Sequence, residues 1–313
     1  MITVAIITYN RPLYLKEAIE AVLSQTFVDF ELLICDNGSD IETQKLISCY
    51  QDERIVLETN PTNDIEFYNV PFSKLTRPWL LITHDDDIMN PDFLERMLPI
   101  LVNTEIIGLG CNMAYINENS VLTGDFFKKE EDSILEIKSS FVSHYLKGES
   151  IPCPTVIMRK DFFTQNKIKM DFNVGRAADQ FMWSKVINAG GMLAMYNKSL
   201  YKYRIHNTQE SNINKGIMEC ELLIAWFNDT QICSKIERLM LLRKLRNLYY
   251  LNSELVGEID IQCIAFFTTL KYRSFIPVLF FFELKIHGLF HPSQKIKSKL
   301  QLLFLRINKI VSN

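Results

Sequence analysis

Apolar and polar positions follow two different periods along the first third of the chain. Short apolar runs typical of buried strands recur there, at residues 2–8, 31–35, 55–58, 79–83 and 106–111. Between them lie segments in which apolar residues return at helical spacing, at 12–25, 41–50 and 91–102. Strands separated by helices of this length predict βαβ units, and hence an α/β fold whose mainly parallel sheet is flanked by helices.

Polar clusters follow three of these predicted strands, at residues 8–11, 36–40 and 84–87. In open α/β sheets, ligands bind outside the carboxyl ends of the strands. We therefore expect the three clusters to meet at one edge of the sheet and to form a ligand site there.

The pattern weakens beyond residue 111. We expect a variable stretch at 112–150 that contains one helix near 137–147. Regular elements return afterwards, with strands predicted at 156–158, 192–196 and 200–204 and a helix at 178–189. Beyond residue 214 the pattern is helical, and the segment 235–255 predicts a basic amphipathic helix.

The composition is ordinary for a globular protein of 313 residues, with 48% hydrophobic and 23% charged side chains. The net charge is −3, while the segment 284–313 carries six basic and no acidic residues. This distribution argues against general nucleic-acid binding and leaves the C-terminal segment as the candidate for anionic surfaces.

The seven cysteines are odd in number and form no C-x-x-C pair, so neither a zinc site nor a disulfide framework is predicted. A reducing, cytoplasmic compartment fits this pattern best. We expect no signal peptide, because polar residues follow the first apolar run almost at once. We also expect no transmembrane helix, because the longest apolar run, 275–282, is far shorter than the ~20 residues required.

Three consecutive carboxylates, Asp85, Asp86 and Asp87, follow the predicted strand at 79–83. Their mutual repulsion at the end of a buried strand calls for a cation, and a hard divalent metal held by oxygen is the first candidate. A solvated acidic turn before the next helix is the alternative, since Asn90 is a good N-cap and suits a helix start. Capping, however, does not explain the three aspartates.

Four segments carry a resemblance when they are taken in order. They are AIITYNRP at 5–12, LICDNGSD at 33–40, HDDDIMNPDF at 84–93 and YRIH at 203–206. Together they resemble the inverting family-two glycosyltransferases of the GT-A fold, over about residues 1–110 and 150–212. The resemblance implies a GT-A catalytic domain at 1–212, with a nucleotide-binding half at 1–110 and an acceptor half at 111–212. A helical C-terminal region at 213–313 would follow it.

In that family the first two clusters bind the nucleoside of a sugar nucleotide. By this resemblance, Tyr9 would stack on the base, and Thr8, Asn10 and Arg11 would line its pocket. Asp36 would accept hydrogen bonds from a uracil-like edge. A purely structural role, with Thr8 ending a strand and residues 37–38 forming a turn, is equally open.

The third cluster corresponds to the metal site of the family. The resemblance makes Asp87 the direct ligand of Mg²⁺ or Mn²⁺ and assigns Asp86 to the ribose or to a metal-bound water. His206 would add a ligand or touch the diphosphate, or simply hydrogen-bond in a strand-end loop. The family often has an acidic residue where His84 stands, so no role is assigned to His84.

Inversion by single displacement requires a base that takes the proton of the acceptor hydroxyl. The family places this carboxylate at a helix start, which corresponds to Asp179, with Asp171 in reserve. Ala178 departs from the acidic residue often found there, and Asp179 could instead cap the helix. Trp183, one turn further, could line the acceptor site or pack in the core.

The resemblance implies a hexosyl- or N-acetylhexosaminyl-transferase that moves a sugar from a nucleotide-sugar donor, a UDP-sugar by preference, to a glycan acceptor. A lipid-linked acceptor in bacterial surface polysaccharide synthesis follows by analogy. Two alternatives stay open, a non-catalytic sugar-nucleotide-binding scaffold and a nucleotidylyltransferase, although the latter should show a glycine-rich phosphate loop.

The C-terminal segment 275–313 combines an apolar stripe at helical spacing with flanking lysines and arginine. This pattern suits a helix lying on the inner face of the cytoplasmic membrane. Docking of the stripe on the catalytic domain or on a second subunit is the alternative, so the oligomeric state stays open.

Overall fold

The structure is a computed structural model that describes residues 1–74, 76–102, 104–207, 209, 215–234, 236–238, 240–241 and 244–245. The strands of these residues are β1 (Ile2–Thr8), β2 (Phe30–Asn37), β3 (Ile55–Asn60), β4 (Trp79–His84), β5 (Ile88–Met89), β6 (Ile106–Ile116), β7 (Leu122–Phe126), β8 (Ile134–Ile137), β9 (Ile157–Arg159) and β10 (Met192–Arg204). The helices are α1 (Pro12–Leu23), α2 (Ile41–Ser48), α3 (Val70–Lys74), α4 (Phe93–Val102), α5 (Phe141–Leu146), α6 (Lys160–Gln165), α7 (Ala178–Asn188) and α8 (Lys215–Asn228).

The N-terminal half of the sheet is parallel, in the order β3-β2-β1-β4. In its register Thr8 lies opposite Asp36, and Ile7 lies opposite His84. The carboxyl ends of β1, β2 and β4 therefore meet at one edge of the sheet, and the prediction that the three polar clusters converge is confirmed.

The other half of the sheet is mixed and continues as β9-β6-β10-β5, with β7 beside β6 and β8 beside β10. β6 and β10 are parallel, whereas β9 is antiparallel to both β4 and β6. Because β9 runs in the reverse direction, the segment that precedes it, with Pro152 and Cys153, lies at the same sheet edge as the polar clusters.

The sheet separates two hydrophobic cores, because successive side chains of a strand point to opposite faces. On β1, Ile2, Val4 and Ile6 pack in the core that contains α1 and α4. Ala5 and Ile7 face the other core, which contains α5, α7 and α8. All residues of β1 are buried, which explains why its sequence is an almost continuous apolar run.

Two predictions for the middle of the chain are wrong in detail. The helix expected at 137–147 is shorter, because Ile137 belongs to β8, where it lies opposite Leu193. Helix α5 begins after Ser140, whose hydroxyl oxygen accepts a hydrogen bond from the amide of Ser143 at 3.2 Å.

The two strands expected at 192–196 and 200–204 are one long strand, β10. Its pairing with β6 shifts register between Tyr196 and Ser199 and again between Ser199 and Tyr201. The polar residues that interrupt the apolar pattern are thus an irregularity within a strand and not a loop.

The C-terminal predictions fall mainly on residues that the structure does not describe. The amphipathic helix at 235–255 lies mostly outside them, and the segment 275–313 lies wholly outside. No helix of the described residues is both long and apolar enough to cross a membrane.

Candidate active site

The turns that follow β1 and β2 are joined by hydrogen bonds. Asn10, at a positive φ of 53°, donates its amide to the Ser39 hydroxyl at 3.1 Å and accepts the Asp40 amide on its side chain at 2.7 Å. Asp36 is buried and accepts a hydrogen bond from the Ser39 amide at 2.9 Å. The ring of Tyr9 is 42% exposed and therefore accessible to a ligand. Asn10 thus shapes the turn itself.

Asp85 joins β4 to the turn after β1. Its carboxylate accepts hydrogen bonds from the Thr8 hydroxyl at 2.8 Å and from the Tyr9 amide at 3.3 Å. The Arg11 guanidinium reaches Asp85 at 3.0 Å and Asp86 at 2.8 Å through the same nitrogen. Thr8, Tyr9 and Arg11, three of the predicted nucleotide-binding residues, are therefore bound to the acidic run, residues 85–87. Arg11 also supplies part of the positive charge that this run requires.

Asp86 has one carboxylate oxygen with a partner and one without. Its Oδ2 contacts Arg11 and lies 3.0 Å from Nε2 of His206, whereas Oδ1 is buried and accepts no hydrogen bond from the described residues. Ligand atoms of His84, Asp86 and Asp87 lie within 4.8 Å of one another. A buried carboxylate oxygen without a partner is costly, and a divalent cation bound at these atoms would satisfy it.

Asp87 is held more completely by the protein. Its Oδ1 accepts the backbone amide of Arg204 at 2.8 Å, and its Oδ2 accepts the Tyr201 hydroxyl at 3.0 Å. Nδ1 of His84 lies 3.2 Å from the same Oδ2. The side chain of Asp87 is fully buried, so its position is fixed by β10, whatever ligand the site holds.

The pKa values of His84 and of the three neighbouring aspartates are shifted in different directions. Burial would lower the pKa of His84, yet the hydrogen bond with Asp87 and the nearby carboxylates outweigh it and raise the pKa to about 9. Burial, with the charge of Asp86, raises the pKa of Asp85 to about 6 against the pull of Arg11. Burial likewise raises the pKa of Asp87, whereas in Asp86 the charges of His84 and Arg11 overcome burial and lower the pKa.

Arg204 holds the acidic run in place, a role that the sequence did not reveal, although Arg204 lies in the YRIH segment. Its side chain is fully buried, and Nε donates to the Asp86 carbonyl oxygen at 2.6 Å. One terminal nitrogen pairs with Glu17 at 2.8 Å and the other donates to the Ser120 hydroxyl at 2.8 Å. The guanidinium also lies 4.5 Å from the ring centre of Tyr14. Arg204 therefore connects α1, the β6–β7 turn and the acidic run.

Asp179 lies in the first turn of α7, but it is not the cap of that helix. The N-cap position is Ala177, with no side-chain hydrogen bond. The Asp179 carboxylate accepts a hydrogen bond from the Gln180 side chain at 2.7 Å. Burial raises the pKa of Asp179 against that hydrogen bond. The capping alternative is therefore not observed, and the carboxylate is available for another role.

A pocket of 360 Å³ collects these groups. The polar residues that line it come from the clusters after β1 and β4 and from α7, and include Arg11, His84, Asp85, Asp86 and Asp179. The described residues of the cluster at 36–40, among them Asp36, lie outside this lining, as do Thr8, Tyr9 and Asn10. The segment before β9 adds apolar walls from Pro152 and Cys153, and Arg176 contributes a cation that sequence reasoning missed. Asp87 and His206 do not line the pocket themselves, but they contact the lining residues His84 and Asp86.

Other candidates lie elsewhere. Asp171 caps the 3₁₀ turn Phe172–Val174 and pairs with Lys185 at 3.5 Å, and it is not among the residues that line the pocket, although its neighbours Met170 and Phe172 are. Trp183 is fully buried in the core. Of the two roles considered for it, packing in the core is therefore confirmed.

Comparisons with known proteins agree with this geometry. The family described as Glycosyl transferase family 2 matches residues 3–163, just over half of the chain. Among curated relatives, the O-antigen biosynthesis glycosyltransferase WbnJ of Escherichia coli is 26% identical over 234 residues, which cover 70% of this chain and 85% of the relative.

A second Escherichia coli relative is the UDP-Glc:alpha-D-GlcNAc-diphosphoundecaprenol beta-1,3-glucosyltransferase WfgD. It is 22% identical over 197 residues, which cover 62% of this chain and 73% of the relative. Among solved structures, S. aureus TarS 1–349 in complex with UDP-GlcNAc has a TM-score of 0.62 at 17% sequence identity, covering 82% of this chain and 74% of that chain.

The chain therefore belongs to glycosyl transferase family 2, and it is a glycosyltransferase. Its α/β fold is the GT-A fold seen in TarS. The resemblance and the fold class predicted from the sequence are confirmed.

Proposed function

We propose that this protein is a metal-dependent, inverting glycosyltransferase that moves a sugar from a nucleotide-sugar donor, a UDP-sugar by preference, to a glycan acceptor. One observation carries the proposal. Arg11, Asp86 and Asp179 come from three separated parts of the chain and line one pocket, in which Asp86 keeps a buried oxygen without a partner among the described residues.

The nucleotide end of the donor would lie over the turns after β1 and β2. Tyr9 is exposed and would stack on the base. Asp36 is buried, and one of its carboxylate oxygens accepts the Ser39 amide, so its other oxygen would accept a hydrogen bond from the base edge. Thr8 and Asn10 act through the turn, because their side chains are committed to Asp85 and Asp40. Arg11 would orient the acidic run toward the ribose and the diphosphate.

The residues present fit a divalent cation. Asp86 and Asp87 would hold Mg²⁺ or Mn²⁺, with His84 or His206 as a nitrogen ligand or as a contact to the diphosphate. Such a cation stabilises the negative charge that gathers on the leaving nucleoside diphosphate. The protein's own contribution is to keep Asp87 fixed by β10, while Asp86 presents its oxygen to the pocket.

Asp179 would be the general base. Its carboxylate accepts the proton of the acceptor hydroxyl as that oxygen forms the new bond to the anomeric carbon and the bond to the diphosphate oxygen breaks. The electron pair of the broken bond leaves with the nucleoside diphosphate. A single displacement of this kind inverts the anomeric configuration. The raised pKa of Asp179 makes it a better proton acceptor than an ordinary carboxylate.

The names of two relatives support a proposal for the acceptor and the biological setting. WbnJ is named for O-antigen biosynthesis, and WfgD for a glucosyl transfer to a sugar on diphosphoundecaprenol. We infer a role in bacterial surface polysaccharide synthesis with a lipid-linked acceptor, at the inner face of the cytoplasmic membrane. The C-terminal region would contribute to membrane association.

The test is release of UDP from a panel of UDP-sugars, with Mn²⁺ and after addition of EDTA. We expect wild-type turnover to require the metal, and Asp86→Asn and Asp87→Asn to abolish it. Asp92→Asn is the matched control, because Asp92 is a 44% exposed carboxylate that pairs with Arg96 on α4. Turnover that survives both EDTA and the two substitutions would contradict the metal assignment.

A further inference from the structure

A second pocket of 480 Å³ adjoins the catalytic pocket. The two pockets share the side chains of Met113, Phe127, Gln180, Tyr203 and Met218. Gln180 follows the proposed base in the sequence and donates a hydrogen bond to it. A molecule in the second pocket would therefore contact the residue that holds the carboxylate of the proposed base.

The lining of the second pocket is aromatic and apolar. Tyr115 and Tyr145 belong to it, in addition to the shared Phe127 and Tyr203. The rings of Tyr115 and Tyr203 meet edge to face, with centroids 6.1 Å apart and planes at 80°. Ring faces of this kind pack against the apolar C–H face of a pyranose, while tyrosine hydroxyls can hydrogen-bond to sugar hydroxyls.

The charge of the second pocket is balanced. Glu219, the carboxylate among the described lining residues, forms an ion pair with Lys244 at 2.7 Å, and Nζ of Lys244 lies 4.6 Å from the ring centre of Tyr145. Among the described residues that line this pocket, none is lysine or arginine. The catalytic pocket differs in this respect, because Arg11 and Arg176 line it. An anionic ligand bound by these described side chains would lose its hydration without gaining a cation from them.

We propose that the second pocket is the acceptor subsite and that it takes a neutral pyranose ring, in preference to a uronic acid or another anionic sugar. This inference rests on the proposed function, since it assigns the nucleotide sugar to the catalytic pocket. Tyr115 and Ile205 line the second pocket only, so they determine acceptor binding without touching the donor.

The test measures binding by saturation-transfer NMR in the presence of UDP. The probes are methyl β-glucopyranoside and the methyl glycoside of N-acetylglucosamine, with methyl β-glucuronide as the charged counterpart. We expect the ring C–H protons of the neutral glycosides to be saturated and the glucuronide to bind at least about tenfold more weakly. Tyr115→Ala should weaken the binding of the neutral glycosides about tenfold or more, because the ring face is lost.

Three variants separate the subsite from general damage to the fold. Tyr115→Phe keeps the ring and should retain most of the binding. Phe126→Ala removes a neighbouring ring that is 44% exposed and outside both pockets, and should change nothing. Ile205→Ala should weaken glycoside binding less than Tyr115→Ala does, because Ile205 is 42% exposed and its removal costs the ligand only aliphatic contact.

UDP binding, measured by thermal shift on the same samples, distinguishes a failure of the acceptor subsite from a failure of the proposed function. Loss of glycoside binding with UDP binding retained supports the acceptor subsite. Unchanged glycoside binding in both Tyr115→Ala and Ile205→Ala, equal binding of the glucuronide, or no glycoside binding by the wild type would overturn it. A wild type that does not bind UDP would instead overturn the proposed function on which it depends.

Discussion

Arg204 connects the acidic run to α1 and to the β6–β7 turn. It is a fully buried cation whose guanidinium donates to a backbone carbonyl, to a hydroxyl and to the Glu17 carboxylate. Its own amide donates to Asp87. Burying a guanidinium is costly unless every donor is satisfied, so removing one partner leaves a charge in a place that water does not reach.

We expect Glu17→Gln to destabilise the protein by about 1–3 kcal/mol, because it removes the charged acceptor of a buried arginine. The measurement is the free energy of unfolding in urea. Glu20→Gln is the matched control on the same helix, since Glu20 is 57% exposed and lies 3.9 Å from Lys16 as an ordinary surface pair. That control should change stability by less than about 1 kcal/mol. Equal effects of the two substitutions would show that the Arg204 network adds nothing.

Asp179 carries a prediction about rate and pH. Asp179→Asn should lower kcat by about 10²–10⁴ with little change in donor affinity, because only the proton acceptor is lost. A base acts when it is ionised, so activity should fall as pH falls through its pKa. Since burial raises the pKa of Asp179, the acid limb of kcat/KM should lie above the ordinary value of an aspartate.

The Gln180 side chain supplies a check on that assignment. Its hydrogen bond to the Asp179 carboxylate favours the ionised form and thus lowers the pKa of that group. Gln180→Leu should therefore move the acid limb of kcat/KM to higher pH. An acid limb that stays in place, together with near-normal kcat in Asp179→Asn, would move the base to another carboxylate.

At the scale of elements, the turn between β2 and α2 shows how closely the nucleotide side is built. Gly38 has a φ of +81°, and a Cβ at this position would lie 2.7 Å from the backbone carbon of Thr62. The neighbouring Asn37 holds the same loop, because its side chain donates to Asn63 at 2.9 Å and to the Asp64 carbonyl oxygen at 2.9 Å. The loop after β3 thus packs directly on the turn that presents Asp36.

We expect Gly38→Ala to be more destabilising than Gly124→Ala. Both glycines have positive φ, which costs an L-residue about 1–2 kcal/mol, but a Cβ at Gly124 meets nothing within 4 Å. The difference between the two unfolding free energies therefore measures the steric contact with the loop alone. Gly38→Ala should also weaken UDP binding, whereas Gly124→Ala should not. Equal losses of stability would mean that the loop moves aside freely.

β10 is the element that joins the acidic run to the far half of the sheet. Tyr201 and Arg204 approach Asp87 from this strand, and Tyr203 forms part of the wall between the two pockets. The register shifts near residues 197–201 occur just before these side chains. A bulge changes the direction of the residues that follow it, which is how one strand can both bind Asp87 and line the two pockets.

At the scale of the whole molecule, the basic segment 284–313 bears on where the enzyme works. It lies outside the described residues, and its membrane role remains a prediction from the sequence. Each basic residue near an anionic bilayer contributes about 1 kcal/mol, so six of them could hold the protein at the surface. A lipid-linked acceptor would be reached most easily by an enzyme held there.

We expect the full-length protein to co-sediment with phosphatidylglycerol vesicles at low salt and to dissociate at high salt, because salt screens surface charges. Replacing Lys295, Lys297 and Lys299 together with glutamate should abolish this binding while UDP binding stays unchanged. Replacing the three exposed lysines Lys16, Lys45 and Lys129 with glutamate is the control with the same change in charge. Equal loss in both variants would indicate a general charge effect and not an anchor.

The sequence by itself determined the order of elements in the N-terminal half and the polar clusters at the ends of β1, β2 and β4. These features depend on local causes, namely the period of apolar residues and the chemistry of turns, and parallel strands bring their carboxyl ends together without further information. The resemblance to a known family, carried by four segments in a fixed order, added the expectation that the site binds a nucleotide sugar.

Only the tertiary structure decided which of the polar residues touch. Asp86 and Arg204 are 118 residues apart, and Asp87 and Tyr201 are 114 apart, so no local period relates them. Their contact depends on the pairing of β10 with β5 and β6 and on the bulges within β10. The second pocket depends in the same way on side chains from five separate elements, β6, α5, α7, β10 and α8, and from the loops beside them. Such contacts form where shapes and charges fit in three dimensions, and the order of residues along the chain does not encode them locally.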